Sequence, residues 1–113
     1  MTSTAATFIA SQDAPNATTT AYTSPTAGKG SRIDYFVCTN HSAGTVNVSI
    51  WSVPFGGTAA DSNLRVKAQA LAAGESRVMF ELLGERLAPG DFLAWSASAA
   101  TSINGKASGV ELT

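Results

Sequence analysis

Apolar and polar residues alternate along one short run of this chain after another, and no stretch of ten residues carries a helical repeat. Ile33, Tyr35 and Val37 alternate with Asp34, Phe36 and Cys38, and Val46, Val48 and Ile50 alternate with Asn47, Ser49 and Trp51. Leu64, Val66, Ala68 and Ala70 then alternate with Arg65, Lys67 and Gln69, and Ser76, Val78, Phe80 and Leu82 with Arg77, Met79 and Glu81. A period of two is the geometry of a strand, whose successive side chains point to opposite faces. The β-branched run Thr18, Thr19, Thr20 with Tyr22, and the small-residue runs Phe92 to Ala99 and Lys106 to Leu112, add further strands. Between them lie turn signals such as Ser24-Pro25, Pro54-Phe55-Gly56-Gly57, Ala72-Ala73-Gly74 and Pro89-Gly90-Asp91. Roughly seven or eight strands at this spacing predict an all-β, antiparallel β-sandwich of jelly-roll type, with an immunoglobulin-like sandwich as the alternative.

Two hairpins are expected. Pairing Asn40 with Thr45 leaves His41 to Gly44 as a four-residue loop and sets Val37 opposite Val48 and Tyr35 opposite Ile50. Asn104-Gly105 has the composition of a two-residue turn, which aligns Trp95, Ala97 and Ala99 with Val110 and Leu112. The tiny residues of these last strands let backbone lie close to large side chains opposite, Trp95 among them. Leu83 to Leu87 has room for a single helical turn.

The first sixteen residues read differently. Met1 to Asn16 holds Thr, Ser, Ala and Gln around one Phe8-Ile9 pair, too little apolar mass to order itself. Residues 1–16 are therefore expected to be an extended arm, a loose terminus or a strap against a neighbour, and 17–113 a single sandwich domain. The hairpin register also puts Phe36 and Trp51 on the face opposite the core, so Phe8, Ile9, Phe36 and Trp51 are the expected protein-contact residues.

Composition narrows the partners. Only 13% of the 113 residues are charged, about half the usual share, and the net charge is −1. Lys29, Arg32, Arg65, Lys67, Arg77, Arg86 and Lys106 are scattered singly, with no basic stripe to neutralise phosphates. Nucleic acid is not an expected partner, and neither is a membrane, since no apolar run approaches the roughly 20 residues of a span. Met1 to Gln12 lacks the positive start of a secretory signal. A domain this small buries only about two thirds of its unfolded surface, and its marginal core favours self-association, a trimer being expected.

Catalytic chemistry is not expected. Cys38 and His41 are the only residues of their kinds, too few for a usual zinc site, and Cys38 reads as a small core residue. The carboxylates are dispersed without the clustering calcium needs. Gly28-Lys29-Gly30-Ser31 lacks the upstream Gly, the Lys-Ser/Thr step and the helix of a phosphate loop. A Ser-His-Asp set is arithmetically available but nothing singles out a serine. No cofactor is expected, and Tyr22, Phe36, Trp51 and Phe55 offer a less favoured sugar-stacking platform.

The order of the short motifs resembles a known group. Ala21-Tyr22-Thr23-Ser24-Pro25, a Gly-rich loop with Arg32-Ile33, Val37-Cys38-Thr39-Asn40 and Val46-Asn47-Val48-Ser49-Ile50 resemble small virion structural proteins of tailed bacteriophages. Leu71 to Glu75, Leu87 to Asp91 and Ser108 to Thr113 extend the similarity over roughly residues 18–113. The resemblance implies a non-enzymatic β-sandwich subunit assembled into virions in the host cytoplasm. Its expected place is as a capsid decoration (cement) protein on the major capsid protein, or in the neck or tail, and it carries over no catalytic residues.

Overall fold

The computed structural model describes residues 2–113. Among them the chain forms nine strands: β1 (Ser3–Asp13), β2 (Thr19–Thr23), β3 (Gly30–Asn40), β4 (Val46–Val53), β5 (Leu64–Leu71), β6 (Ser76–Val78), β7 (Arg86–Leu87), β8 (Phe92–Ala97) and β9 (Ile103–Leu112). Three-residue 3-10 turns occupy Asp61–Asn63 and Phe80–Leu82. One sheet has the order β1-β9-β3-β6, with β7 also pairing β3; the other has the order β2-β8-β4-β5. All pairings are antiparallel. The chain changes sheet at β1 to β2, β2 to β3, β3 to β4, β5 to β6, β7 to β8 and β8 to β9, and the one hairpin between consecutive strands is β4 with β5. Two four-lane sheets wound in this way form a jelly roll, with β6 and β7 sharing one lane.

Both expected hairpins are corrected by this winding. β3 and β4 lie in different sheets, as do β8 and β9, and Asn104 and Gly105 sit inside β9 opposite Thr39 and Cys38. The loop after β3 is held by the side chain of Asn40 instead of a hairpin ladder. Asn40 Nδ2 donates to the carbonyls of Gly44 (2.7 Å) and Leu71 (2.9 Å), and its Oδ1 accepts from the Ser42 amide (2.9 Å) and hydroxyl (2.7 Å). A single buried amide thus uses its full hydrogen-bonding capacity to turn the chain from one sheet to the other.

The expected arm is a strand. β1 pairs with β9 from Ser3↔Leu112 to Asp13↔Asn104, because backbone pairing needs no large side chains and β9 is equally rich in small ones. The register shifts between Thr7 and Ile9, so Phe8 is an extra residue. That bulge turns two consecutive side chains, Phe8 and Ile9, into the core.

A second bulge rewrites β3. Ile33 pairs with Gly109 and Tyr35 with Ser108, leaving Asp34 without a partner. Beyond it, Phe36 and Cys38 face inward and Tyr35 outward, the reverse of plain alternation. In β5, Ala68 adopts φ 46° and donates its amide to Ser49 Oγ at 2.9 Å. The inward set there is Val66 and Leu71, while Ala68 and Ala70 are exposed. Strand β6 stops at Val78, and the 3-10 turn that follows buries Met79 and Leu82 while exposing Phe80. β4 follows the simple reading, with Val46, Val48 and Ile50 buried.

The core lies between the sheets. Trp95 meets Phe36 edge-on at 6.4 Å, and Phe8 of β1 stacks on Tyr22 of β2 at 4.1 Å and 20°. Burying a side chain such as Phe36 stabilises the fold by roughly 1.5–3 kcal/mol.

Candidate functional site

The fold redistributes the residues expected at a contact surface. Phe8, Ile9 and Phe36 are all in the core, so they have no side-chain surface to offer a partner, and this corrects the sequence reading for those three. Trp51 remains half-buried on the outer face of the second sheet, opposite Leu64 and Ala94. Of the proposed sugar platform, Phe36 is buried, Tyr22 is stacked under Phe8, and Phe55 is 72% exposed.

Apart from Phe55, the most exposed large apolar groups lie on β3, on β6 and in the turn that follows β6. Tyr35, Val78, Phe80 and Leu83 are each more than 40% exposed. Val78 pairs with Val37, and the amides of Met79 and Gly84 donate to the carbonyls of Phe36 and Ile33, which lays the intervening turn along β3. Arg77 stiffens this border. Its guanidinium lies 4.7 Å from the Phe80 ring centre and binds both carboxylate oxygens of Glu81, at 2.8 and 3.2 Å. That hydrogen bonding holds the Glu81 carboxyl below the usual carboxylate range. Arg32 does the same for Asp34 across 2.8 Å on the outer face of β3. Sequence patterning assigned Tyr35, Val78 and Phe80 to the interior, and only the Asp34 bulge and the early end of β6 bring them out.

A polar groove of about 350 Å³ opens at one end of the sandwich, lined by Ser52, Pro54, Ser62, Asn63, Arg65, Glu85, Arg86 and Asp91. Its carboxylates are engaged. Glu85 accepts from Ser52 Oγ at 3.2 Å with Arg65 Nε at 3.7 Å, and Asp91 accepts the amides of Phe55 and Ala88 at 2.9 and 3.0 Å. These acceptors fix loops and neutralise an arginine, and what remains open to a ligand is a rim of hydroxyl, amide and guanidinium donors.

His41 pairs its Nε2 with Asp13 Oδ1 at 3.0 Å, and Asn104 Nδ2 donates to the same oxygen at 3.3 Å. The adjacent Ser42 hydroxyl donates to Asn40 instead, so the triad the sequence allows is not assembled there. Cys38 is buried, and desolvation pushes its thiol up to about 12. Among the described residues, no three His, Cys, Asp or Glu side chains gather at a metal-binding spacing.

No protein-family model matches this chain, and no curated protein matches it. Its fold is similar to that of a chain in the structure of infectious bursal disease virus, Gx strain, with a TM-score of 0.53 and 14% identity. The match covers 98% of this chain and 32% of that one, so the present chain spans about a third of the length of its structural neighbour. At this identity the similarity is one of fold: a β-sandwich of the kind found in a virus structure.

Proposed function

We propose that this chain is a structural, non-enzymatic subunit of a virus particle, and that on a tailed phage it decorates the capsid shell, bound to the major capsid protein. The observation that carries this reading is the match of essentially the whole sandwich to a chain of a virus structure. Two features of the molecule support it. The polar groups of the groove are committed to loop geometry, which suits binding better than proton transfer. The apolar border of Tyr35, Val78, Phe80 and Leu83 offers a modest contact of about 25 cal/mol per Å², and repetition over many copies bound to several shell subunits raises its effective strength by avidity. No cofactor enters this role.

The deciding experiment is a particle reconstruction with the subunit carrying a density label. Label over the shell faces is the expected result. Label confined to one vertex or to the tail replaces decoration with a neck or tail role, and absence from purified particles overturns the virion reading.

A glycan-binding role on the virion is the second reading, favoured by the exposed Phe55 ring, whose own amide is held by the groove residue Asp91. Titration with host polysaccharide, followed by amide shifts of Phe55 and Arg86, tests it. No shift at millimolar sugar removes it.

A further inference from the structure

Four strand lanes form the edges of the two sheets, and three of them carry devices that discourage pairing. The β6 and β7 lane is cut in two by a 3-10 turn. β2 has five residues and a register shift between Thr20 and Tyr22. β5 exposes Arg65 and Lys67 and is bulged at Ala68. The fourth edge, β1, carries its bulges only from Phe8 onward. From Ser3 to Thr7 it is regular, exposed for most of its length, and free of charge and proline.

The hydrogen-bonding direction of this segment follows from its neighbour. Thr2 and Thr113 exchange both backbone bonds, each 2.9 Å. In an antiparallel ladder such pairs alternate with unbonded ones, so with Ser3↔Leu112, Thr4↔Glu111, Ala5↔Val110, Ala6↔Gly109 and Thr7↔Ser108 in unbroken register, Thr4 and Ala6 bond inward to β9. Ser3, Ala5 and Thr7 direct their amides and carbonyls away from the sheet. This set is symmetric about Ala5.

We infer that a second copy of this chain docks on this edge, its β1 running antiparallel about a two-fold axis at Ala5. Ala5 faces Ala5, Ser3 faces Thr7 at each end, and the three pairs supply six N–H···O bonds, fusing two five-stranded sheets into one of ten. A self-pair must be its own complement. The segment satisfies this, because neither strand brings a charge to the contact, no side chain exceeds threonine, and Ser–Thr pairs are favourable across a ladder. The Phe8 bulge ends the ladder on both sides of the axis. So short a contact falls below the area of a standard stable interface, so the pairing is weak and is read at high protein concentration. The two-fold pairing differs from the three-fold association expected from the sequence, and it is independent of the virion reading.

Sedimentation velocity between 10 µM and 1 mM tests the inference. The wild-type chain converts from monomer to dimer across that range. Ala5→Pro removes an amide that faces away from β9, a position where an edge strand tolerates proline, and it stays monomeric at 1 mM with an unchanged melting temperature. Ala5→Lys sets two ammonium groups against each other at the axis and is monomeric as well, an independent reading should the proline variant misfold. A wild-type chain that remains monomeric at 1 mM, or self-association that both folded variants retain, overturns the inference.

Discussion

The six-membered ring of Trp95 lies directly on the backbone of Gly105, across the sandwich from it, so that a β-carbon at Gly105 would overlap Cζ3 of the indole. Trp95 is 1% exposed and held edge-on by Phe36, which leaves the ring nowhere to retreat. Gly105→Ala is expected to destabilise the fold by about 2–3 kcal/mol, read as a lowered urea midpoint with an unchanged slope. In the Trp95→Phe background the same substitution costs less, the sign of direct coupling. Gly44→Ala, where nothing lies within 4 Å, serves as a control and stays within about 0.5 kcal/mol.

Phe8 ties the first strand to both sheets by stacking on Tyr22. Phe8→Ala should cost about 3–4 kcal/mol and lower the melting temperature. A free arm would leave that temperature unmoved.

Asn40 faces two carbonyl oxygens with its amide nitrogen. Asn40→Ala strands those carbonyls and the Ser42 donors and should cost about 2–3 kcal/mol. Asn40→Asp turns an acceptor toward the two carbonyls and is expected to be worse than alanine at neutral pH, then to recover part of the loss as acid protonates the new carboxyl. Urea midpoints for the two variants at pH 4 and pH 7 decide it, and an Asp variant equal to wild type at pH 7 contradicts the assignment.

Alkali should unfold this protein through two acids, the buried Cys38 thiol and the half-buried Tyr22 phenol. Desolvation first, with the Glu111 carboxylate adding to it at Tyr22, raises the Tyr22 phenol and the Cys38 thiol to about 12 from ordinary values of 10.0 and 9.0. The fold therefore retains protons that the unfolded chain gives up. The stability this contributes is complete below pH 9 and is lost as pH rises from 9 through 12. Urea midpoints should be flat to about pH 8.5 and then decline, less steeply in Tyr22→Phe and Cys38→Ala. A thiol reagent at pH 8 should leave Cys38 unmodified until urea opens the core.

The parts of the fold legible in the sequence are those where one residue follows another without insertion. Val46, Val48 and Ile50 alternate in the sequence and in the structure, and the small residues of β9 do receive a large ring, that of Trp95 on Gly105. Bulges defeat this reading, since one unpaired residue at Asp34 exchanges the faces of Tyr35 and Phe36. The contact residues were misread for that reason at Phe36, and for a related one at Phe8 and Ile9, whose shared inward direction no strict alternation allows. Hairpins and sheet crossings use loops of similar length, so His41 to Gly44 suits either. Asn40, an amide able to close such a loop by itself, was the local signal available.

The position of β9 also bears on how the molecule is made. It is the last of the nine strands in sequence, yet it sits between β1 and β3 and gives the five-stranded sheet its centre. Neither neighbour has its principal partner until β9 has been synthesised, so β1 and β3 wait with open edges while the second sheet can already assemble from β2, β4, β5 and β8. Such long-range closure places folding in the slow regime of milliseconds to seconds. The sandwich is thus most exposed to mispairing in the interval before β9 arrives.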